Sequence, residues 1–271
     1  MTVSLISQRV FYGTTDISVA VSDFRVGSYA LTYSAGNYIY IGSSAPFTNL
    51  WVEMSTVAAA SAGNPTVQMW FGQAWENAVD IIDQTSGMTA SGRISWATNR
   101  LKGWNYEQES VTVGLAGTAV YNRYWARISW ASGFTAGIAF IGQKFSSDTI
   151  LQSLHPDLLQ TQILNGYKTG KTNWDEQHFM AAEAIIRDLR KRNMAKHRGQ
   201  ILDWSVFEEA SAHKVAEIVY LACGSAYKDH ADSAKKRYES EMASRLLCLD
   251  ETMDGHVDYQ ETIASQGWIT R

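Results

Sequence analysis

The sequence predicts an α+β chain with more than one domain. An antiparallel β-sandwich of jelly-roll-like type is expected over residues 1–148, and an antiparallel helical bundle over 149–249. An acidic loop and C-terminal tail follow over 250–271. Two observations carry this reading. Residues 1–150 hold 17 charged side chains and 7 of the 10 Trp, whereas 151–271 hold 33 charged side chains in fewer positions. Near residue 146 the apolar spacing also changes, from alternation to intervals of three and four.

A chain of 271 residues can bury a sizeable core and has room for two domains. Its 45% hydrophobic and 18% charged content is that of a globular protein. A net charge of −4 excludes a global attraction to nucleic acid or acidic membrane, so such binding needs a local basic patch. The two cysteines, Cys223 and Cys248, stand outside any CxxC pair and read as buried apolar thiols in a reducing compartment. No apolar window of about 18 residues and no basic-then-apolar leader is legible, which predicts no membrane span and no export signal.

In the first half, strand-like runs occupy 49–57, 66–71, 92–96, 110–113, 124–130 and 136–142. Most alternate apolar and polar residues, as a strand with one wet face does. Alternation places Trp125 on the face opposite Tyr124, Ala126, Ile128 and Trp130. Gly, Ser, Asn and Pro cluster between the runs, as in 61–65, and the short spacing suits a sandwich. Residues 75–82 fit either a strand or a helical turn. Seven Trp in such a unit have two readings: core filling between the sheets, or platforms for sugar stacking. For the second, Trp75 and Trp104 are the candidates.

In the second half, Pro156 and Gly166 bracket a short helix near 154–164. Asn173 and Glu176 have the spacing of a capping box. The helix they open carries Met180, Ala181, Ala184, Ile185 and Leu189 on one stripe and runs towards Gly199. Ser205 and Glu208 repeat that logic. The next helix turns Phe207, Ala210, Val215, Ile218, Val219 and Ala222 inward and stops at Gly224. A third, near 229–249, places Ala231, Ala234, Tyr238, Met242, Leu246 and Leu249 on its stripe.

Three constellations invite a functional reading. Arg187, Arg190, Lys191, Arg192, Lys196 and Arg198 form a basic cluster; it is either a solvated helix end or a surface for phosphates or an acidic partner. The stretch 250–261 has calcium-loop spacing. Asp250, Thr252, Asp254, the His256 carbonyl, Asp258 and Glu261 stand at the ligand positions, with Gly255 at the turn. Its alternative is an acidic loop ending a helix, with no cofactor at all; Thr252 is a poorer ligand than a carboxylate. Last, Trp268, Ile269 and Arg271 follow the hinge residue Gly267, as apolar anchors with a basic end. No phosphate-binding loop, dinucleotide fingerprint, nucleophile elbow or HExxH motif is present. The six His stand in no metal-ligand spacing with Cys or acidic residues, and His178 and His213 read as packed or surface residues of helices. The expectation is a protein that is not an enzyme.

The runs Trp174-Asp-Glu-Gln-His-Phe-Met-Ala-Ala-Glu183, 185–192, 207–220 and 238–242 resemble the head–tail connector (adaptor, or head-completion) proteins of tailed bacteriophages. The resemblance covers about 151–271 and rests on helix-packing signatures. The first half departs from the minimal all-helical members and resembles jelly-roll or carbohydrate-module-like domains of larger virion proteins. The resemblance implies a non-enzymatic ring, usually of twelve copies of the chain, docked on the portal ring at the virion neck. That ring extends the channel through which genomic DNA passes without sequence-specific binding, and it docks tail or neck proteins. It implies synthesis in the host bacterial cytoplasm, no membrane, and a C-terminal segment, here 261–271, that inserts into the portal. A different class also fits: a carbohydrate-binding module with a helical oligomerisation domain.

Overall fold

The computed structural model describes residues 8–22, 27–44, 46–97, 107–109, 113–115, 120–194, 201 and 205–244. Over these the chain combines two antiparallel sheets with five α-helices, an α+β architecture. It divides into two compact units. One is built on 1–142, the other on 143–196 and 203–248, so the helical unit begins at Gln143, ahead of the composition break.

The strands of the first unit, in chain order, are β1 (Gln8–Tyr12), β2 (Thr15–Asp16), β3 (Tyr29–Tyr33), β4 (Ile39–Ser43), β5 (Asn49–Thr56) and β6 (Thr66–Trp70). They continue as β7 (Trp75–Asn77), β8 (Val79–Asp83), β9 (Gly92–Ala97), β10 (Glu107–Glu109), β11 (Tyr121–Ser129) and β12 (Phe134–Gly142). The first sheet runs β2-β1-β4-β11-β6-β7, with β10 also on β11; the second runs β3-β12-β5-β9-β8. Hairpins apart, the chain changes sheet at every step. The central pairings β1–β4, β4–β11, β6–β11, β3–β12, β5–β12 and β5–β9 therefore join strands distant in sequence, and the topology is rich in non-local contacts.

One buried cluster takes Val10, Ile39, Ile41, Val67, Met69, Ala126 and Ile128 from the first sheet, and Leu31, Leu50, Val52, Ile94, Trp96 and Ile138 from the second. It packs closely: the void ringed by Ile39, Leu50, Met88, Ile128 and Ile138 measures about 10 Å³ and has a wholly apolar lining, too small and too dry to hold a ligand. The first sheet has a second buried cluster, formed by Phe11, Trp70, Val113, Leu115, Val120 and Trp125. Trp125 thus sits opposite Ala126 and Ile128, as alternation requires. Val10 and Phe11 are adjacent in sequence yet both buried, because each enters a different cluster.

Of the seven Trp in this half, Trp51, Trp70, Trp96, Trp125 and Trp130 are buried, which favours core filling for those five. Trp104 lies outside the described residues. Residues 75–82 form strands: β7 and β8 belong to different sheets, with Ala78 between them.

Trp125 makes one specific demand on its neighbour. It lies opposite Gly42 across the β4–β11 pair, and a Cβ on Gly42 would stand 2.8 Å from the indole ring. The ring is fully buried and has nowhere to yield. Gly42→Ala is therefore expected to destabilise the first unit by about 1–3 kcal/mol through overpacking. Urea unfolding followed by Trp fluorescence reads this; an unchanged midpoint would show the ring to be mobile.

The second unit holds α1 (Asp148–Leu154), a 3₁₀ turn at Pro156–Leu159, α2 (Thr161–Tyr167), α3 (Asp175–Lys191), α4 (Glu208–Ala222) and α5 (Lys228–Ser244). The short helix expected at 154–164 is therefore replaced by the end of α1, the turn and α2. Helix α4 is the centre, packing on α1, α3 and α5. Its buried residues, Ala210 to Ala212, His213, Val215, Ala216, Val219 and Tyr220, go most of the way round, as a helix enclosed by others requires. Gly224 terminates it in a left-handed conformation (φ 99°). The expected stripe of α5 is buried at Ala231, Ala234, Tyr238 and Met242.

Three details differ from the sequence reading. The capping box at Asn173 does not form: Trp174 is the N-cap of α3, and Asn173 only accepts the Asp175 N–H at 3.4 Å. Met180, placed on the buried stripe, is 44% exposed, and Ala222 is exposed. Cys223 is only partly buried, which nevertheless pushes its thiol pKa up.

Candidate functional site

The helical unit gathers its polar side chains at two places. The first is the segment that enters it. Ser146 Oγ lies 2.7 Å from His178 Nδ1 and 2.7 Å from Ser211 Oγ, while His178 Nε2 lies 3.0 Å from Asp148 Oδ1. Ser146, His178 and Ser211 are 2%, 0% and 0% exposed. Asp148 also accepts the Trp174 backbone N–H at 3.3 Å, and Lys144 donates to Asp175 at 2.7 Å. Segment 144–148 is thereby tied to the start of α3 and the first turn of α4.

The proton positions follow from burial. Burial pushes His178 down, against the opposing pull of its Asp148 hydrogen bond, and holds the ring neutral. A neutral ring facing a carboxylate donates from Nε2, which leaves Nδ1 an acceptor. Ser146 must then donate to Nδ1, and Ser211 to Ser146. Serine, histidine and aspartate are the residue types of a nucleophilic relay. Here, however, the hydroxyl is buried, and its partners His178 and Ser211 are buried with it. The arrangement works as a staple in which every donor has one assigned acceptor.

The second place joins α1 to α4. His155 Nε2 and His213 Nδ1 are 2.9 Å apart, with the rings edge to face, and Tyr220 donates to Asp157 at 2.7 Å. Only one of the two facing nitrogens can carry a proton in this contact. Burial, reinforced by His213, pushes His155 down to about 4, and burial also lowers His213. Folded, these rings and His178 stay neutral in a range where the unfolded chain, with His near 6.5, takes up protons. Their contribution to stability is complete above about pH 6.5 and is lost as the pH falls towards 4. The melting temperature of the helical unit is expected to drop over that window. His155→Asn should flatten the drop without removing it, because His178 and His213 remain. Calorimetry at stepped pH checks this; a wild-type profile flat from pH 7.5 to 5 would contradict it.

Sequence spacing could not have shown these groups. Ser146, His178 and Ser211 stand 32 and 65 positions apart, and His155 and His213 stand 58 apart.

Of the predicted basic cluster, Arg187, Arg190, Lys191 and Arg192 are exposed on the last turns of α3, and Lys196 and Arg198 lie outside the described residues. A groove of about 280 Å³ opens between α3, α4 and α5. It takes Lys191 and Arg192 from the cluster and adds Lys214 of α4 and Lys235 of α5, which the linear reading missed. Arg187 and Arg190 are not among its lining residues. Asp188, Tyr238 and Glu239 complete the wall. Tyr238 donates to Asp188 at 2.7 Å, and Lys214 pairs with Glu217 at 2.8 Å while standing 4.7 Å from the Tyr238 ring. The groove thus offers four cations and two carboxylates.

Among the described residues no cluster of His, Cys, Asp or Glu suits a metal ion, and no helix is long and apolar enough to cross a membrane. The loop 250–261 with its proposed calcium ligands and the tail residues Trp268, Ile269 and Arg271 fall outside the described residues. No protein family, curated protein or solved structure matches the chain.

The staple makes a stability prediction. Ser146→Ala leaves His178 Nδ1 buried without its donor and should cost about 1–3 kcal/mol. Ser146→Thr, which keeps the hydroxyl, should recover part of the loss. Chemical unfolding of both variants tests this; equal midpoints for Ser146→Ala and wild type would show that the hydroxyl contributes nothing.

Proposed function

We propose that this chain is a structural virion protein: a head–tail connector that forms a ring between portal and tail, extends the DNA channel and docks tail proteins. The observation that supports it best is the groove between α3, α4 and α5. Its cations come from three separate helices, and one of them, Lys214, is held against an aromatic ring. Such a surface attracts phosphates through charge, a term that does not depend on base sequence. That is what a channel wall for passing DNA needs. The sealed polar staple suits the same role, since a ring subunit needs one rigid arrangement of its helices.

In this reading the first unit is a jelly-roll-like sandwich and the second an antiparallel helical bundle. Trp268, Ile269 and Arg271 form the portal-binding tail. A calcium ion at Asp250, Thr252, Asp254, His256, Asp258 and Glu261 would fix the segment before it.

Native mass spectrometry of the purified protein, alone and with portal-bearing capsids, tests the proposal. A closed ring of many copies is expected, free or formed on the capsid. Lys214→Glu with Lys235→Glu should leave that ring intact while reducing its retention of duplex DNA at low salt. A chain that stays monomeric and ignores capsids would overturn the reading.

A further inference from the structure

The outward face of the first sheet carries a row of polar and aromatic side chains beside the second buried cluster, against which Tyr40 and Trp75 pack. Cross-strand register sets Tyr40 of β4 opposite Arg127 of β11, Arg127 opposite Gln68 of β6, and Gln68 opposite Asn77 of β7. Their neighbours Ile39, Ile41, Ala126, Ile128, Val67 and Met69 enter the core between the sheets, so alternation turns the row outward. All four side chains are partly or fully exposed.

The row is organised. The Arg127 guanidinium lies 3.9 Å from the centre of the Tyr38 ring and 4.5 Å from that of Trp75. Its Nε donates to Gln68 Oε1 at 2.7 Å, and Gln68 Nε2 donates to Asn77 Oδ1 at 2.8 Å. Trp75 is braced edge-on by Tyr40 at 5.8 Å and Trp70 at 5.4 Å. These bonds use one N–H of a guanidinium that has five and one of an amide that has two. What is presented is a rigid strip of ring edges and faces, interleaved with N–H donors and amide oxygens.

We propose that this strip is a saccharide-binding site for a neutral sugar chain. A pyranose has an apolar C–H face and a rim of hydroxyls that both donate and accept. The rings of Tyr38 and Trp75, both partly exposed beside the Arg127 guanidinium, match the first; Arg127, Gln68 and Asn77 match the second. With one cation in the row, the charge is too small for a polyanion, and the core void is too small for any ligand. Rings already held by stacking lose little freedom on binding. The proposal stands on the β unit alone and does not depend on the connector reading.

The test is a printed array of neutral and acidic oligosaccharides probed with the intact protein, followed by calorimetric titration of the strongest binder. Binding to a neutral oligosaccharide is expected. It should weaken about tenfold or more in Trp75→Ala and in Asn77→Ala, and be unchanged in Met180→Ala, which alters the helical unit. Asn77 is exposed, so its variant keeps the test open if Trp75→Ala fails to fold. No bound saccharide, binding confined to acidic sugars, or binding indifferent to Asn77→Ala would each overturn the proposal.

Discussion

The helical unit depends on one requirement: the hydroxyl of Ser146 and the imidazole of His178 are both sealed from water, and each needs the other. A buried donor or acceptor left without a partner costs more than a formed hydrogen bond gains. The geometry that satisfies Ser146, His178, Ser211 and Asp148 together brings the start of α1, the first turn of α3 and the first turn of α4 to one point. Apolar contacts among Leu151, Trp174, Ala181, Ala212, Val215 and Val219 supply the bulk of the attraction. Because such contacts tolerate sliding, they do not by themselves choose one arrangement. The polar staple chooses it. The His155–His213 pair repeats the device between α1 and α4.

The β unit obeys a different constraint, and that constraint decided how much of it could be read. Strands β6, β9 and β11 stand close to their expected places, although β6 and β11 also bury Trp70 and Trp125 on their second face. The first sheet buries both faces over β1, so Val10 and Phe11 are adjacent apolar residues and the period of two disappears. Strand β1 was accordingly not legible; β3, which alternates over Tyr29–Tyr33, was passed over without that reason. Residues 75–82 were ambiguous because they hold two short strands that leave for different sheets, which breaks any single period.

The candidate sites were less legible than the fold. The basic cluster at the end of α3 was visible as a run, but the groove draws only two of its residues and completes itself from α4 and α5. Nothing in a linear pattern marks Lys214 and Lys235 as its neighbours. The box at Asn173 does not form because α3 starts one residue later, with Trp174 at the N-cap and its N–H held by Asp148. Trp75 was singled out in the sequence, but its surroundings were not. Its setting comes from Tyr38, Gln68, Asn77 and Arg127, which only the strand register brings together.

The central claim is that residues 143–148 belong to the helical unit as a structural part of it. The most direct measurement compares two fragments, one beginning at Gln143 and one at Thr149, by thermal unfolding. The account predicts cooperative unfolding for the longer fragment. The shorter one, lacking Lys144, Ser146 and Asp148, should have a much lower or absent transition. Two fragments with the same melting temperature would contradict it and would show that the segment is no structural part of the helical unit.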